Sequence, residues 1–485
     1  MKLPKNLKPL VPPYGQYQID SIGFGVLKDN TGILLGLGLG KTYVSINICR
    51  WRIQNNNVKK ILVVCPTSIL LKWKAEIHKF SEYDAVVLHS ENRQARIQKI
   101  KNFIKSGSHF GLINYEALSP FYKYLSKIPL DMVIADESAR YISNAYTSKN
   151  GRIEKVKRTD TIFLLGDKAR YRNILTGTLI SNKPMGLWSQ FRFLDKGETF
   201  GLNFYAWRSH FFEKKEYYNY STWDIKKSRI KDLNNRIYEN CITFKTKDIP
   251  DENFILVNME MNKELLKIYN TVKTKILSEI EVESGKAVIN IKHIFTKLIR
   301  LQQITSGYIK DDSGKLNKLK HTPKLDAVKE EVETIMDNNE SVIIWCKFRY
   351  TIELLSKMLK TLKPIVMTGD DKHKIKSAKI KEFQTSKTKN VFIGQIVAGG
   401  IGIELFKINS EYEYQHMIFV ENTFVLDHRQ QAIGRSYGRI GQKSKVRIID
   451  FIFKDSIDDR IYNTIMQNKI IADEILKTSV RGFLE

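Results

Sequence analysis

Ile33-Leu-Leu-Gly-Leu-Gly-Leu-Gly-Lys-Thr42 is the stretch on which the fold turns. Its first three residues read as a strand, the glycines at 36, 38 and 40 as a loop, and Thr42 to Arg52 as a helix. A loop of this kind lets the backbone fold around phosphates, with N–H groups pointing inward at a helix N-terminus. Lys41 suits the β- and γ-phosphates of a nucleotide, and Thr42 suits a Mg2+ ion. The strict GxxxxGK[ST] pattern fails, because its first position falls on Leu35, but the Gly-x-Gly-Lys-Thr core from Gly38 and Gly40 onward is intact.

Working outward, each apolar run of the first 200 residues ends in a polar cluster. Ile61-Leu-Val-Val-Cys65 stops at Pro66-Thr67, and Gly111-Leu-Ile-Asn114 leads into Tyr115. Met132-Val-Ile-Ala135 runs into Asp136-Glu137, and Ile174-Leu175 precedes Thr176-Gly-Thr178. Parallel α/β sheets place their ligands at the C-terminal ends of strands. Residues 1–200 therefore read as an ATP-binding α/β domain. Asp136 is expected to hold Mg2+, mostly through water, and Glu137 to orient the attacking water as general base. The hydroxyls of Thr176 and Thr178 suit a link between phosphate state and a nucleic-acid groove, although Thr178 equally suits a helix N-cap.

The texture changes from about 200 to 318. Aromatics and lysines crowd Phe211-Phe-Glu-Lys-Lys-Glu-Tyr-Tyr218, and long helical stretches follow from Lys263 to Gln303. We read 201–318 as a helical insertion with linker, closed by a turn at Asp311-Asp-Ser-Gly-Lys315. A second α/β unit, 319–485, is expected to open with a helix whose apolar residues stand at 325, 328, 332 and 335. Its strands are Val342-Ile-Ile-Trp345, Val391-Phe-Ile393, His416-Met-Ile-Phe-Val420 and Val446-Arg-Ile-Ile-Asp450. Ile457, Ile461, Ile465 and the apolar pairs near 470 and 475 predict a C-terminal amphipathic helix.

Two further clusters lie in this second unit. Ala398-Gly-Gly-Ile-Gly-Ile-Glu404 is a glycine-rich turn after a strand. Gln430-Gln-Ala-Ile-Gly-Arg-Ser-Tyr-Gly-Arg-Ile-Gly-Gln442 carries Gln431, Arg435 and Arg439 at spacings of four, one face of an expected helix. Guanidinium groups so placed suit the charge that develops on a γ-phosphate.

Composition narrows the setting. Lys and Arg number 79 against 52 Asp and Glu, a net charge of +27 that favours a polyanion partner. The same excess arises wherever Lys, Asn and Ile are simply abundant. The four cysteines form no CxxC pair and the nine histidines show no ligand spacing, so a reducing compartment and no zinc site are expected. No signal-peptide pattern and no apolar run of membrane-spanning length is legible, so a soluble, cytoplasmic protein with no membrane partner is expected.

With these blocks in this order, the chain resembles superfamily 2 helicases, and within them the Swi/Snf-type DNA translocases. Tyr17-Gln18 resembles the adenine-reading glutamine motif. Ile61 to Trp73, with Glu76 and Phe80, resembles motif Ia, and Asn114-Tyr-Glu116 the next block. Thr176-Gly-Thr178 with Asn182 and Trp188 resembles the third motif. Leu298-Ile-Arg-Leu-Gln-Gln-Ile304 and Lys324-Leu-Asp326 resemble the linker into the second domain. Gln431-Ala-Ile-Gly-Arg435 with Arg439-Ile-Gly-Gln442 is the most family-specific match, and Asp455-Ser-Ile-Asp-Asp-Arg-Ile461 resembles the closing helix. Three departures stand out. Leu35 and Gly36 replace acidic residues, Asp136-Glu-Ser-Ala139 replaces Asp-Glu-Ala-His, and Gly438 adds a residue between the two arginines. The missing histidine is one that helps to link hydrolysis to DNA.

The resemblance implies two RecA-like parallel-sheet domains with a helical insertion and a C-terminal brace helix. It implies a DNA-stimulated ATPase using ATP and Mg2+. Tyr17, Gln18, Gly38, Gly40, Lys41, Thr42, Gly402 and Gln431 would bind the nucleotide, and Arg435 and Arg439 would complete the site. Pro66, Thr67, Trp73, Asn114, Tyr115, Thr176, Thr178, Lys347, Ala398 and Gly399 would face DNA. The expected enzyme is a monomer that moves on duplex or branched DNA without sequence specificity. Chain length adds the expectation of a compact viral or phage-type protein of replication, recombination or repair. An ATP-gated clamp that binds nucleic acid without travelling is the alternative, and RNA the weaker alternative track.

Overall fold

The computed structural model describes the chain apart from residues 37, 143–145, 150–151, 178, 180–183, 218–219, 245–251, 285–290, 311–314, 321, 387–389, 397–404, 406–413, 437–444 and 468–485. The described residues form two compact units, Met1–Thr246 and Lys247–Lys469.

The first unit is built on seven strands: β1 (Asn30–Leu35), β2 (Ile61–Cys65), β3 (Ala85–Val87), β4 (Phe110–Asn114), β5 (Met132–Asp136), β6 (Tyr171–Leu175) and β7 (Cys241–Phe244). They pair in the order β7-β1-β6-β5-β2-β4-β3, every pair parallel. β2, β4, β5 and β6 are buried along their whole length, which is why they read as unbroken apolar runs rather than alternating ones. Helices α1 (Gln16–Leu27), α2 (Lys41–Asn56), α3 (Leu70–Phe80), α4 (Ser138–Tyr141) and α5 (Gly186–Asp195) position the candidate site. Since the sheet is parallel, the loops after β1, β6, β5, β2 and β4 leave from one edge, on strands that are consecutive neighbours. The clusters quoted from the sequence are therefore gathered there.

The second unit has six strands: β8 (Glu252–Met259), β9 (Val342–Cys346), β10 (Ile365–Met367), β11 (Val391–Gln395), β12 (Tyr414–Phe419) and β13 (Lys445–Phe453). Their order is β8-β13-β12-β9-β11-β10, again parallel throughout. β9 shows how the sheet is covered. Val342 and Ile344 pack with Leu325, Val328 and Val332, whereas Ile343 and Trp345 pack with Phe392, Met417 and Phe419 on the opposite face. Leu325, Val328 and Val332 belong to a helix over Pro323–Asp337, where their spacing predicts one.

Two parallel-sheet α/β domains are thus present. Residues 201–318 are not one helical insertion, however. They include an antiparallel hairpin (Phe212–Tyr217 with Tyr220–Ile225) and the helices Lys263–Ser284 and Ile291–Thr305, and they also supply a strand to each sheet. β7 aligns beside β1, Gly32 against Cys241 through Leu35 against Phe244, and β8 aligns beside β13. Both are edge strands, and β8 alternates between half-buried and exposed residues, so neither carries the continuous apolar signal of an inner strand. The chain passes between units at about residue 246, not 200 and 318. Asp311 to Gly314 lie outside the described residues. The paired strands Tyr308–Lys310 and Leu316–Lys318 flank them.

Residues 457–467 are helical, and Ile457, Ile461 and Ile465 bury against Leu265, Tyr269, Leu301 and Ile304. The apolar pairs near 470 and 475 lie outside the described residues. Among the described residues no helix is long and apolar enough to cross a membrane.

Candidate active site

The glycine loop follows β1 directly. Gly38 and Gly40 both sit at φ +81°, in the left-handed region that favours glycine, and Gly40 is the N-cap of α2. A Cβ at Gly40 would stand 2.5 Å from Nε2 of Gln18. Gln18 braces this loop: its Nε2 donates to the Leu39 carbonyl (3.1 Å), and its Oε1 accepts from the Tyr14 amide (2.9 Å). The Lys41 ammonium donates to the carbonyls of Leu35 (2.9 Å) and Gly36 (3.3 Å), which keeps the charge inside the loop. The structure so brings Gln18, Gly38, Gly40 and Lys41 together, with Thr42 in the first turn of α2. The neighbouring Tyr17 ring packs obliquely on Phe244, 6.2 Å between centroids.

β5 ends at Asp136, 6 % exposed. Its Oδ2 accepts from the Trp73 indole (2.8 Å), its Oδ1 from the Glu137 amide (2.9 Å), and its carbonyl from the Tyr115 hydroxyl (2.8 Å). The Tyr115 ring stacks on Tyr141 at 4.4 Å. Burial pushes the Asp136 carboxyl above the usual carboxylate range; the indole bond and the Lys41 charge pull it back down. A carboxylate offers about four lone-pair directions, so acceptor capacity remains for a hydrated cation. Glu137 adopts φ 54°, ψ 41°, a left-handed conformation that costs about 1–3 kcal/mol in a non-glycine residue and persists only where its surroundings hold it.

These contacts revise the expected DNA face. Trp73 is 1 % exposed and Tyr115 is as deeply buried; both are satisfied on Asp136 rather than turned outward. An indole and a phenol next to a buried carboxylate supply the donors it needs. Pro66 and Thr176 are buried, and Asn114 is buried with its amide on Glu116 (2.8 Å). Thr67 is exposed. Thr178, Ala398, Gly399, Gly402 and Arg439 lie outside the described residues.

In the second unit, a helix over Leu426–Ile433 carries Gln431, whose amide donates to the Asp427 carboxylate (3.1 Å). This helix ends before Arg435, so the expected helical face shared by Gln431 and Arg435 is corrected. Gly434 closes the last turn, its N–H on the Gln430 carbonyl (2.9 Å), and the chain leaves the helix there. A glycine at that point lacks the side-chain restraint that favours continuing. Arg435 is buried, and its carbonyl accepts from the Leu405 amide (2.9 Å). Lys347 is also turned inward. Its ammonium donates to Gln302 (2.5 Å) and its amide to the buried Glu421 (2.8 Å), while burial pulls the ammonium below the usual lysine range.

A model of the SNF2-related domain matches residues 17–308, more than half of the chain. The chain belongs to the SNF2-related domain family. An uncharacterized ATP-dependent helicase of Mycoplasma genitalium is 26 % identical over 473 residues, covering 94 % of this chain and 41 % of that protein. Another from Mycoplasma pneumoniae is 25 % identical over 474 residues, covering 95 % and 41 %. A chromodomain-helicase-DNA-binding protein 1-like of Mus musculus is 22 % identical over 467 residues, covering 92 % and 48 %. The chain spans less than half the length of each of these relatives. The SWI2/SNF2 ATPase core of Sulfolobus solfataricus, solved in complex with dsDNA, is 21 % identical with a TM-score of 0.44, covering 98 % of this chain and 95 % of that one.

Buried ion pairs shape this SNF2-related chain, and only some of their members stand in the motifs quoted from the sequence. Arg429 makes a bidentate pair with Asp450 (2.6 Å each) and donates to Asn422 (2.8 Å), all buried. Lys324 pairs with Asp458, which also accepts from Thr305 (2.9 Å), tying the closing helix to the helices that carry Lys324 and Thr305.

Proposed function

We propose that this chain is an ATP-driven motor on DNA, hydrolysing ATP with Mg2+ and moving along duplex or branched DNA without sequence specificity. The observation that carries the reading is the meeting of Lys41, Asp136 and Glu137 at one edge of a parallel sheet, with the Lys41 charge felt at the Asp136 carboxylate. Two left-handed glycines and an inward ammonium fit a triphosphate, and the Thr42 hydroxyl with the Asp136 carboxylate fits a hydrated Mg2+. Bound there, the ion supplies positive charge to the transferred phosphoryl group.

Lys41 would leave its two carbonyls to stabilise the β- and γ-phosphates. Gln18, fastened to the loop, would report nucleotide binding to the residues before α1. Glu137 would accept the proton of the attacking water, and Arg435 and Arg439 would meet the developing charge. The name of one relative, a chromodomain-helicase-DNA-binding protein, supports a DNA track, as does a charge of +27, which favours contacts to phosphates rather than to base edges.

The test is ATP turnover with single-stranded, duplex, forked and four-way DNA at low and moderate salt. Lys41→Ala should abolish turnover, and Glu137→Gln should keep nucleotide binding and lose hydrolysis. Binding to unrelated duplexes should weaken steeply and equally with salt. Turnover that ignores DNA overturns the reading. ATP-dependent DNA binding with negligible turnover marks a clamp instead.

A further inference from the structure

Ser138 stands where the resembling pattern has alanine, and the fold gives it a partner. Its hydroxyl donates to Oε1 of Gln190 (2.9 Å), and Nε2 of Gln190 donates to the Leu179 carbonyl (2.8 Å). Ser138 and Gln190 are both 0 % exposed, and Leu179 is buried. A carboxamide so deeply buried is costly unless both ends are bonded, and here both are. Gln190 sits on α5, whose Leu187, Trp188 and Phe191 are set in the apolar core. It therefore bridges two loops from one rigid helix, the loop after β5 and the loop after β6, and those strands are direct neighbours.

What lies at one end of this bridge is the strained residue. Glu137, in its left-handed conformation, is the N-cap of α4, and Ser138 is the first residue of that helix. A shift of the Leu179 carbonyl moves the Gln190 amide, hence the acceptor of Ser138, hence the N-terminus of α4 and the backbone of Glu137.

We infer that Ser138 and Gln190 are positioning residues that pass the state of the loop after β6, which opens with Thr176-Gly177, to Glu137. The inference rests on the proposed reading in which Glu137 activates water and DNA stimulates turnover.

The experiment uses the full chain and Ser138→Ala, Gln190→Leu and the double variant. For each, turnover is measured without DNA and with saturating duplex, together with affinity for a fluorescent ATP analogue and the thermal midpoint. Each single variant should lower the ratio of stimulated to unstimulated turnover about tenfold, a usual size for coupling between sites, with nucleotide affinity retained. In the double variant the Ser138 hydroxyl leaves together with its acceptor and only the Leu179 carbonyl loses its Gln190 donor, so the midpoint should rise above that of Gln190→Leu. The ratio should stay low. A wild-type ratio in either single variant overturns the inference. So does an equal fall of both rates, or a ratio that recovers with the midpoint in the double variant. Glu137→Gln separates the two readings: wild-type turnover there removes the general base, whereas the ratio in the Ser138 and Gln190 variants judges the relay alone.

Discussion

Trp73 and Asp136, 63 residues apart in the chain, are joined by a 2.8 Å hydrogen bond from indole to carboxylate. The bond fixes one oxygen of the candidate Mg2+ ligand from behind and favours its charged form against the cost of burial.

Trp73→Phe keeps an aromatic ring of similar size and removes the donor. A hydrogen bond to a charged group is worth about 1.5–3 kcal/mol, so ATP turnover should fall roughly 10- to 100-fold. The Mg2+ concentration for half-maximal turnover should rise. A titration of Mg2+ at saturating ATP checks this; a wild-type curve would mean that Trp73 only fills space.

Arg435 lies just beyond the end of its helix and is buried. Arg435→Ala should lose DNA-stimulated turnover on the order of 10³-fold while ATP affinity falls little, as expected of an arginine that meets developing charge. Arg435→Lys, which keeps charge without the fork, should recover only part of the rate. Arg439→Ala should behave almost like Arg435→Ala. Near-wild-type turnover of Arg439→Ala would leave a single arginine at the site.

The Arg429–Asp450 pair is a stability element. Breaking a buried bidentate pair from one side leaves an uncompensated charge and costs about 3–5 kcal/mol. Arg429→Leu and Asp450→Asn should each lower the calorimetric unfolding temperature by several degrees. The double variant Arg429→Leu/Asp450→Leu should recover most of the loss. Equal midpoints for single and double variants would show that the charges carry none of it.

His416 supplies a pH signature. It is buried on β12, with Nε2 2.5 Å from Glu340, and Arg447 and Glu331 act on it as well. Burial holds its pKa below the ordinary value of 6.5, an effect that outweighs the Glu340 bond. The unfolded chain therefore takes up this proton first as pH falls. The stability that neutral His416 contributes is complete above about pH 6.5 and is lost on acidification toward the lower folded value. The thermal midpoint should fall from pH 7.5 to 5.5 by more in the wild type than in His416→Gln. Parallel pH profiles would refute the assignment.

Much of the fold is legible in local pattern. The inner strands are continuous apolar runs because helices cover both faces of a parallel sheet, and Pro323–Asp337 announces itself by its apolar spacing. The edge strands β7 and β8 escape notice because one is four residues long and the other is half-exposed. Gly434 was present in the arginine motif, yet four-residue spacing alone predicts a helix that runs through it. The aromatic candidates for the DNA face show the same limit, since Trp73 and Tyr115 are motif residues whose orientation no motif states.

What the sequence by itself determined is the set of elements and the chemistry carried at their ends. Strand, glycine loop and helix succeed one another within ten residues around Lys41, and Asp136-Glu137 closes a strand whatever lies beside it, because backbone preference and apolar periodicity act over short range. What only the tertiary structure decided is which polar group meets which. Trp73 reaches Asp136, Gln190 reaches Ser138 and Arg429 reaches Asp450 because strands separated by long stretches of chain lie side by side, and each buried group must then be satisfied by whatever donor or acceptor that order delivers.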